Sequence, residues 1–274
     1  MGDDIQIKRS LLERLPQSGV RRIVVLTGAR QTGKTTLAKR LYPELKYINL
    51  DAPENRDTLR SLTTFAWAKT IGNAVIDEAQ KEPVVFEKVK YAYDEGSIHF
   101  TVLTGSSQIL LLKKIRETLA GRAFFFELWP LMQCELNVSP SNEKEFFPLL
   151  DAMLTKQSVS AVLSDVAPVL LNAHANACQE AEDYILEWGG MPALLNLPEE
   201  DRWLWLKNYE YTYLERDLAD LAKLDDLMPF RKFQQLSALR SAQLLNYSAL
   251  ARDTGISVDT ARRYMEYLKL SYQV

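Results

Sequence analysis

The segment GARQTGKT, residues 28–35, has the residue types and spacing of a phosphate-binding loop. It fits the pattern G-x-x-x-x-G-K-[ST], in which backbone N–H groups of a glycine-rich turn surround phosphate oxygens. The alternative is an ordinary glycine turn with a surface lysine. We favour the phosphate loop, because an apolar run precedes the segment and a helical pattern follows it. The residues predicted to contact a nucleotide are Gly28, Ala29, Arg30, Gln31, Thr32, Gly33, Lys34, Thr35 and Thr36.

Each fixed position of this pattern has a separate chemical role. Gly28 and Gly33 permit backbone angles that a side chain would forbid. The helix that starts near Gly33 adds the dipole of its amino end. Lys34 reaches the β- and γ-phosphates as a point charge, and the Thr35 hydroxyl binds Mg²⁺. The segment therefore predicts a site for ATP and Mg²⁺, with a catalytic role for Lys34.

The segment NAVIDEAQKEP, residues 73–83, places two carboxylates at the end of an apolar run. Beside a phosphate loop, Asp77 would hold the Mg²⁺ ion and Glu78 would activate the attacking water as a general base. A helix cap is the alternative for Asp77, but it leaves the second acid unexplained. The letters DEAQ resemble a helicase motif. A helicase of that kind needs two such domains, whereas this chain has room for one, and Gln80 receives no role.

Hydroxyl side chains end the predicted fourth strand, in the segment TVLTGSS at residues 101–107. Some ATPases insert a strand between the phosphate-loop strand and the acid-bearing strand. That inserted strand ends in a polar residue, which touches the γ-phosphate or the attacking water. Thr104 and Ser106 are the candidates for this catalytic role. The alternative is a simple turn, because Thr-Gly-Ser is common turn chemistry.

Two arginines are candidates for stabilising charge on the γ-phosphate. Arg122, in LAGRAFF, lies between a helix end and the fifth predicted strand. It could act within its own chain or across a subunit interface, and its alternative role is to cap the preceding helix. Arg216, in YLERDLADL, has acidic neighbours, so an ion pair is its alternative role.

The elements that must position these residues alternate between strand and helix in the first half of the chain. Apolar, β-branched runs predict five strands, at residues 21–28, 46–53, 73–80, 97–107 and 122–131. Helical patterns separate these runs, which indicates a parallel sheet covered on both faces. The predicted fold class is α/β, with a P-loop NTPase core and a five-stranded parallel sheet.

The second half of the chain predicts an α-helical domain with a winged helix-turn-helix. The polar segment 137–148 indicates the boundary, which gives an ATPase domain at residues 1–140 and a helical domain at residues 141–274. A long amphipathic helix is predicted at residues 201–224. A winged helix is predicted at about residues 230–274, and Ser257 or Asp259 would cap its second helix. The closing letters SYQV resemble the start of a strand, which leaves open whether the native chain continues beyond residue 274.

The distribution of charge favours local contact with nucleic acid over a general basic surface. The formal net charge is −3, so no basic field covers the molecule. Residues 231–274 hold seven Lys or Arg against three acids, a net charge of +4. Arg262 and Arg263 could therefore face DNA from a helix-turn-helix at residues 246–270. Packing or protein contact is the alternative use of this module, and a protein partner or a second copy of the chain stays a candidate.

Composition disfavours several other classes of protein. The start of the chain has no apolar secretory region, and no run approaches the roughly 18 apolar residues that span a bilayer. The two cysteines are far apart, and two histidines are too few for a His-rich metal centre. We therefore expect a cytoplasmic protein without a membrane partner. A GTPase is disfavoured because no N-K-x-D motif follows the phosphate loop.

Eight segments in a fixed order resemble one prokaryotic family of AAA-type P-loop ATPases. They are LTGARQTGKTTL, VIDEAQ, VLTGSS, LAGRA, ELWPL, GGMPALL, YTYLERDLADL and NYSALARDTGISVDTARRYMEYL. Members of that family pair this ATPase core with a C-terminal domain of unknown function that contains a winged helix. The resemblance implies ATP binding for Lys34 and Thr35, and Mg²⁺ and hydrolysis roles for Asp77 and Glu78. Family members commonly continue into a nuclease-like region, and these residues give no support for nuclease activity.

The sequence thus predicts a Mg²⁺-dependent ATP hydrolase that works as a nucleotide-driven switch, with the second domain moving on the first. Two alternatives stay open. One is a DNA-binding winged-helix regulator with a weak or vestigial ATPase. The other is a nucleotide or metabolite kinase, which would transfer phosphate to an acceptor other than water.

Overall fold

The computed structural model of the protein describes residues 7–105, 115, 117–136, 149–155, 158–164, 173–213 and 227–274. Within these ranges five strands form one sheet, and all neighbouring strands run parallel. The strands are β1 (Arg22–Thr27), β2 (Lys46–Asn49), β3 (Ala74–Asp77), β4 (Phe100–Thr104) and β5 (Ala123–Glu127). Each strand lies inside one of the predicted ranges, so the predicted five-stranded parallel sheet is confirmed.

The order of the strands across the sheet is β2-β3-β4-β1-β5. Leu103 of β4 aligns with Val25 of β1 on one side and with Ile76 of β3 on the other. The strand β4 therefore lies between the phosphate-loop strand and the acid-bearing strand, as the hydroxyls at its end indicated. Because the strands are parallel, their carboxyl ends share one edge of the sheet. That edge carries Asp77, Thr104 and the start of the phosphate loop.

Helices account for most of the remaining described residues. Those of the first half are α1 (Lys34–Leu41), α2 (Pro53–Ser61), α3 (Trp67–Thr70) and α4 (Val84–Asp94). Those after the sheet are α5 (Gln133–Leu136), α6 (Leu149–Thr155), α7 (Val159–Ser164), α8 (Ala173–Trp188), α9 (Glu199–Tyr213), α10 (Met228–Leu239), α11 (Tyr247–Thr254) and α12 (Val258–Leu270). Short 3₁₀ turns lie at Ser10–Glu13, Thr64–Ala66, Ala79–Lys81 and Pro192–Asn196.

Alternation along β1 divides the core of the first half into two layers. Ile23 and Val25 pack on one face of the sheet with residues of α2, α3 and α4. Val24 and Leu26 pack on the other face with residues of α1. All four side chains are at most 2% exposed. Strands buried on both faces are typical of parallel sheets, and they hold the carboxyl edge of this sheet in place.

The last three helices, α10 to α12, pack around an apolar cluster of their own. Phe230 and Phe233 of α10 contact Tyr264 of α12 edge-on, with ring centroids 5.1 and 5.7 Å apart. The helix α11 ends at Thr254 with Gly255 as its C-cap, and the Ser257 hydroxyl caps the start of α12. The two helices joined by a short turn are therefore present as predicted, with Ser257 as the cap.

The end of the chain differs from the prediction. Ser271 and Tyr272 form a turn, so the predicted start of a strand at SYQV is wrong. The Ser271 hydroxyl donates to the carbonyl oxygens of Tyr267 and Leu268, which bends the chain back onto α12. The winged helix stays a prediction. The predicted boundary at residues 137–148 and the predicted long helix beyond residue 213 lie outside the described residues.

None of the helices that the structure describes combines the length and the apolar character needed to cross a bilayer.

Candidate functional site

The phosphate loop connects β1 to α1 at the carboxyl edge of the sheet. Gly28 and Gly33 have φ angles of 147° and 92°, which favour glycine. A Cβ atom on Gly28 would lie 2.2 Å from the carbonyl oxygen of Leu128, so the loop meets the segment after β5 more closely than a side chain permits. Both glycines therefore adopt the conformations that the motif requires.

The Lys34 side chain is folded into this loop. Its Nζ donates to the carbonyl oxygens of Gly28 at 3.1 Å and Ala29 at 2.6 Å, and the residue is 6% exposed. The Thr32 hydroxyl also donates to the Ala29 carbonyl, at 3.0 Å. The loop thus holds a positive charge at its centre, beside the N–H groups at the start of α1, which is the arrangement that attracts phosphate.

Asp77 is the last residue of β3 and is 4% exposed. Its Oδ2 accepts hydrogen bonds from the hydroxyls of Thr35 at 2.7 Å and Tyr47 at 2.6 Å. Its Oδ1 accepts hydrogen bonds from the Thr104 hydroxyl and, at 3.1 Å, from the Glu78 N–H. Burial alone would raise the pKa of Asp77, but these four donors outweigh it and hold the pKa below its usual value. Asp77 is therefore ionised at neutral pH and does not cap a helix.

Thr35 and Asp77 meet the chemical requirements of a Mg²⁺ site. Mg²⁺ prefers oxygen ligands, and proteins usually supply one or two of them beside phosphate and water oxygens. These two side chains offer a hydroxyl and an ionised carboxylate whose oxygens lie 2.7 Å apart. Tyr47 and Thr104 orient the carboxylate, as outer hydrogen bonds do in metal sites. The structure thus brings together both residues predicted to hold the metal.

Glu78 follows Asp77 in a left-handed backbone conformation, with a φ angle of 54°. Residues other than glycine seldom adopt this conformation, and here it turns the chain from β3 into the 3₁₀ turn Ala79–Lys81. The Glu78 side chain lines a cleft together with the phosphate loop. Burial, and then repulsion from Asp77, raise the pKa of the Glu78 carboxyl above its usual value. A raised pKa strengthens a general base.

Thr104 reaches the site at the end of β4. The residue is 1% exposed, and its hydroxyl donates to Oδ1 of Asp77. In the structure Thr104 therefore orients the Asp77 carboxylate. Ser106, the other candidate from this strand end, and Arg216 lie outside the described residues.

Arg122 is not brought to the phosphate loop. It precedes Ala123, which pairs with Ile23 near the amino end of β1, whereas the loop follows the carboxyl end. At about 3.3 Å per residue, the length of β1 separates these edges. The Arg122 guanidinium donates to the Ala120 carbonyl at 3.0 Å and pairs with Asp94, which agrees with the helix-capping alternative. The predicted catalytic role within the same chain therefore does not hold, and a role across a subunit interface stays a prediction.

Arg9 is a buried arginine that the sequence patterns did not reveal. Its Nη1 donates to the Thr32 carbonyl of the phosphate loop at 2.7 Å, and its Nη2 donates to the Trp129 carbonyl at 2.5 Å. Its Nε donates to Oε2 of Glu135 at 3.1 Å. No motif surrounds Arg9, and Glu135 lies 126 residues away along the chain. Arg9 thus ties the phosphate loop to the segment after β5 through contacts that only the fold creates.

A cleft of about 1110 Å³ opens beside the phosphate loop. Residues of the loop and of α1 line it together with Ile7, Leu12, the 3₁₀ turn Pro192–Asn196 and helix α9. Trp205 and Tyr209 of α9 stack here, with ring centroids 5.3 Å apart and an angle of 9° between the rings. Ligand sites commonly measure about 300–1,000 Å³. The cleft therefore has room for a nucleotide.

Two tyrosines from the second half of the chain contact the loop region. The Tyr209 hydroxyl donates to the Arg30 carbonyl at 3.4 Å. The Tyr272 hydroxyl lies 3.4 Å from Oγ1 of Thr27, and its ring packs edge-on against Trp129 with centroids 5.0 Å apart. Helix α9 and the turn that follows α12 therefore both reach the phosphate-loop end of β1.

A close backbone contact joins the two halves at Gly190. The Leu131 N–H donates to the Gly190 carbonyl at 2.6 Å. A Cβ atom on Gly190 would lie 2.3 Å from the Leu131 carbonyl oxygen, so glycine is needed for this approach. The segments ELWPL and GGMPALL, which are far apart in sequence, are thus neighbours in space.

Family models match both halves of the chain. Residues 20–137 match an AAA domain, and residues 179–274 match a domain of unknown function, DUF8612. The first match covers the phosphate loop, both acids and all five strands of the sheet. The chain therefore carries an AAA domain in its first half and this domain of unknown function at its C-terminal side.

Two proteins named as uncharacterized are similar to nearly the whole chain. Rv2008c of Mycobacterium tuberculosis is 28% identical over 264 residues, which cover 95% of this chain and 49% of that protein. MJ1637 of Methanocaldococcus jannaschii is 24% identical over 291 residues, with coverage of 97% and 59%. The chain thus spans about half the length of the curated relatives it matches.

Two solved structures show distant likeness. The Walker-type ATPase PABY2304 of Pyrococcus abyssi has a TM-score of 0.45 and 15% identity, with 84% of this chain and 83% of that chain covered. The signal transduction ATPase PH0952 of Pyrococcus horikoshii has a TM-score of 0.37 and 14% identity, with coverage of 98% and 40%. Both TM-scores are below 0.5, so no role of this chain follows from them.

Proposed function

We propose that this protein binds ATP with Mg²⁺ at the phosphate loop and hydrolyses it to ADP and phosphate. The observation that carries the proposal is the set of contacts around Asp77. Thr35 of α1 and Thr104 of β4 both donate hydrogen bonds to the Asp77 carboxylate. Glu78, the next residue, lines the cleft. The AAA-domain match supports this class of reaction. Groups that can bind phosphate, hold Mg²⁺ and accept a proton therefore share one site.

Lys34 and the loop backbone would bind the phosphates. The Lys34 ammonium group donates hydrogen bonds to two backbone carbonyls in the structure. A phosphate oxygen is charged and is therefore a stronger acceptor for the same group. Thr35 and Asp77 would hold Mg²⁺, which neutralises phosphate charge when bound. Binding thus exchanges contacts inside the loop for contacts to the nucleotide.

Glu78 would accept a proton from the attacking water. The water oxygen bonds to the γ-phosphorus while the bond from that phosphorus to the β–γ bridging oxygen breaks, and ADP leaves with the electron pair. Burial, and then repulsion from Asp77 and Asp51, make the Glu78 carboxylate a stronger proton acceptor. The hydrogen bond from Gln80 and attraction to Lys34 limit that effect.

The base and ribose would lie in the cleft between the loop and α9. Trp205 and Tyr209 offer aromatic faces there, and Pro192 adds apolar surface. An aromatic face suits a purine ring, because stacked arrangements of flat rings are favourable. The nucleotide would then contact both halves of the chain.

This placement supports a nucleotide-driven switch. In our proposal residues 1–140 form the ATPase domain, residues 141–274 form the responding domain, and the boundary falls within residues 137–148. The contacts of Tyr209 and Tyr272 join the responding domain to the loop. A change at the loop would therefore move this domain, as in known hinge transitions.

Phosphate release from ATP tests the proposal. We expect Mg²⁺-dependent release by the wild-type protein, loss of ATP binding in Lys34→Ala, and normal activity in Lys69→Ala, which removes an exposed lysine from α3. Absence of release from the wild type, or full turnover in Lys34→Ala, would show that the site is assigned wrongly. Transfer of phosphate to a small acceptor instead of water would identify a kinase.

DNA binding is a second candidate function, favoured by one observation. Arg262 and Arg263 are exposed on α12, within a segment whose net charge is +4. We expect an electrophoretic shift of duplex DNA that weakens with salt, since phosphate contacts release counterions. A shift that persists unchanged when both arginines are replaced by alanine would exclude this surface.

A further inference from the structure

Gln80 lies two residues after Glu78, in the 3₁₀ turn Ala79–Lys81, and the reaction proposed above gives it no role. Its side-chain amide donates a hydrogen bond to Oε2 of Glu78. Gln80 is 9% exposed and does not line the cleft, whereas Glu78 does. Gln80 therefore contacts the proposed base from the protein side, away from the nucleotide.

Gly105 restricts where the Gln80 side chain can lie. The Gly105 N–H donates to the Leu26 carbonyl at 3.2 Å, which ties the residue after β4 to the end of β1. A Cβ atom on Gly105 would lie 2.2 Å from Oε1 of Gln80 and 3.2 Å from its Cδ. The φ angle of Gly105 is not in the left-handed region. The backbone conformation therefore does not require glycine here, and an added Cβ would displace the end of the Gln80 side chain.

We infer that Gln80 is a positioning residue for Glu78: lodged against Gly105, its amide holds the Glu78 carboxylate in the orientation that accepts a proton from water. This inference rests on the proposed hydrolytic role of Glu78. Repulsion from Asp77 would otherwise turn the carboxylate away from the metal-binding acid. A neutral amide suits the task, because it donates to a carboxylate and has no titrating proton of its own.

The hydrogen bond also affects the proton affinity of Glu78. Burial and Asp77 raise the pKa of the Glu78 carboxyl, whereas the Gln80 amide lowers it. Loss of the amide removes a donor to the charged form, so the pKa rises further. A rate that needs ionised Glu78 then declines at a higher pH on the acid side. A purely structural role for Gln80 would leave this acid limb unchanged.

Four variants test the inference: Gln80→Ala, Gly105→Ala, the double variant, and Gly19→Ala as the control. An added Cβ at Gly19 meets nothing within 4 Å, so this control should behave as wild type. We expect Gln80→Ala to lower kcat roughly 10-fold, the scale of lost outer-shell contacts, with KM within about twofold because Gln80 does not line the cleft. Gly105→Ala should match it, since the new Cβ displaces Gln80. The double variant should be no slower than Gln80→Ala alone.

Three results would overturn the inference. They are an unchanged kcat and pH profile in Gln80→Ala, a faster turnover in that variant, or the same loss from Gly105→Ala whether or not Gln80 is present. The contact is also measured without nucleotide, from the ¹H and ¹⁵N chemical shifts of the Gln80 side-chain amide, assigned with Gln80→Ala. We expect these shifts to change in Glu78→Ala, which removes the acceptor, and unchanged shifts would count equally against the inference. Because this measurement needs no turnover, an inactive wild type would refute the proposed hydrolysis without deciding the Gln80 contact.

Discussion

Replacing Tyr47 with phenylalanine removes one hydrogen bond from Asp77 and leaves the aromatic ring. The Tyr47 hydroxyl lies 2.6 Å from Oδ2, the oxygen that also accepts from Thr35. A hydrogen bond to a charged group contributes about 1.5–3 kcal/mol, and outer-shell contacts change metal affinity about 10–100-fold. We expect the Mg²⁺ concentration for half-maximal ATPase activity to rise about 10-fold, which corresponds to about 1.4 kcal/mol.

The same change shifts the acid stability of the protein in a defined direction. The pKa of Asp77 in the folded protein is below its usual value, so its stabilising contribution is present above the unfolded pKa. That contribution is lost as the pH falls through the folded pKa. Tyr47→Phe removes a donor and raises the folded pKa of Asp77, so the stabilising contribution is smaller and its loss is complete at a higher pH. We expect acid unfolding, followed by circular dichroism, to move to a higher pH.

Tyr184→Phe is the matched control for both measurements. It deletes the same atom, but the Tyr184 hydroxyl has no hydrogen-bond partner in the described part of the chain. We expect its Mg²⁺ dependence and acid unfolding to match the wild type. If Tyr47→Phe leaves the Mg²⁺ dependence within about twofold of wild type, the Tyr47 contact does not orient the metal-binding acid, and the reasoning from outer-shell contacts is refuted.

Three further predictions concern the frame of the site. Arg9→Ala leaves Glu135 as a buried charge without its arginine partner. We therefore expect the free energy of unfolding to fall by about 3 kcal/mol and the melting temperature to fall by about 6–12 °C in a thermal scan. An unchanged melting temperature would contradict the ion pair. Gly190→Ala should lower the free energy of unfolding by about 1–3 kcal/mol, because the added Cβ would meet the Leu131 carbonyl oxygen. An unchanged free energy of unfolding would contradict the close contact between Gly190 and Leu131. Arg122→Ala should keep ATP turnover within about twofold of wild type at concentrations where the protein is monomeric. A loss of about 10³-fold would instead show that Arg122 acts as an arginine finger.

The sheet and the two acids could be predicted because local sequence carries them. Apolar runs define the buried strands, and the phosphate loop is a contiguous motif whose glycines set its own backbone. The position of β4 also followed from local chemistry, since the hydroxyl at Thr104 indicated an inserted strand. Asp77 and Glu78 end a buried strand, and parallel strands bring such ends to one edge.

The supporting residues could not be predicted, because they act through contacts distant in sequence. Tyr47 lies in an ordinary strand pattern, and only the pairing of β2 with β3 brings it to Asp77. Arg9 meets its partners through the fold alone. The place of Arg122 could not be predicted, because a motif gives a position along the chain but not the edge of the sheet on which it falls. The role proposed for Gln80 depends on its contact with Gly105, which only the fold creates.

Release of γ-phosphate by wild-type protein and by Glu78→Gln, measured beside ATP binding to both, tests the central claim most directly. We predict that Glu78→Gln binds ATP with an affinity within about twofold of wild type, since the amide keeps the shape of the side chain. We predict that its turnover falls about 10²–10⁴-fold, the range expected for loss of a general base. Equal turnover by the two proteins would contradict the assignment of Glu78 as the base of a Mg²⁺-dependent ATPase.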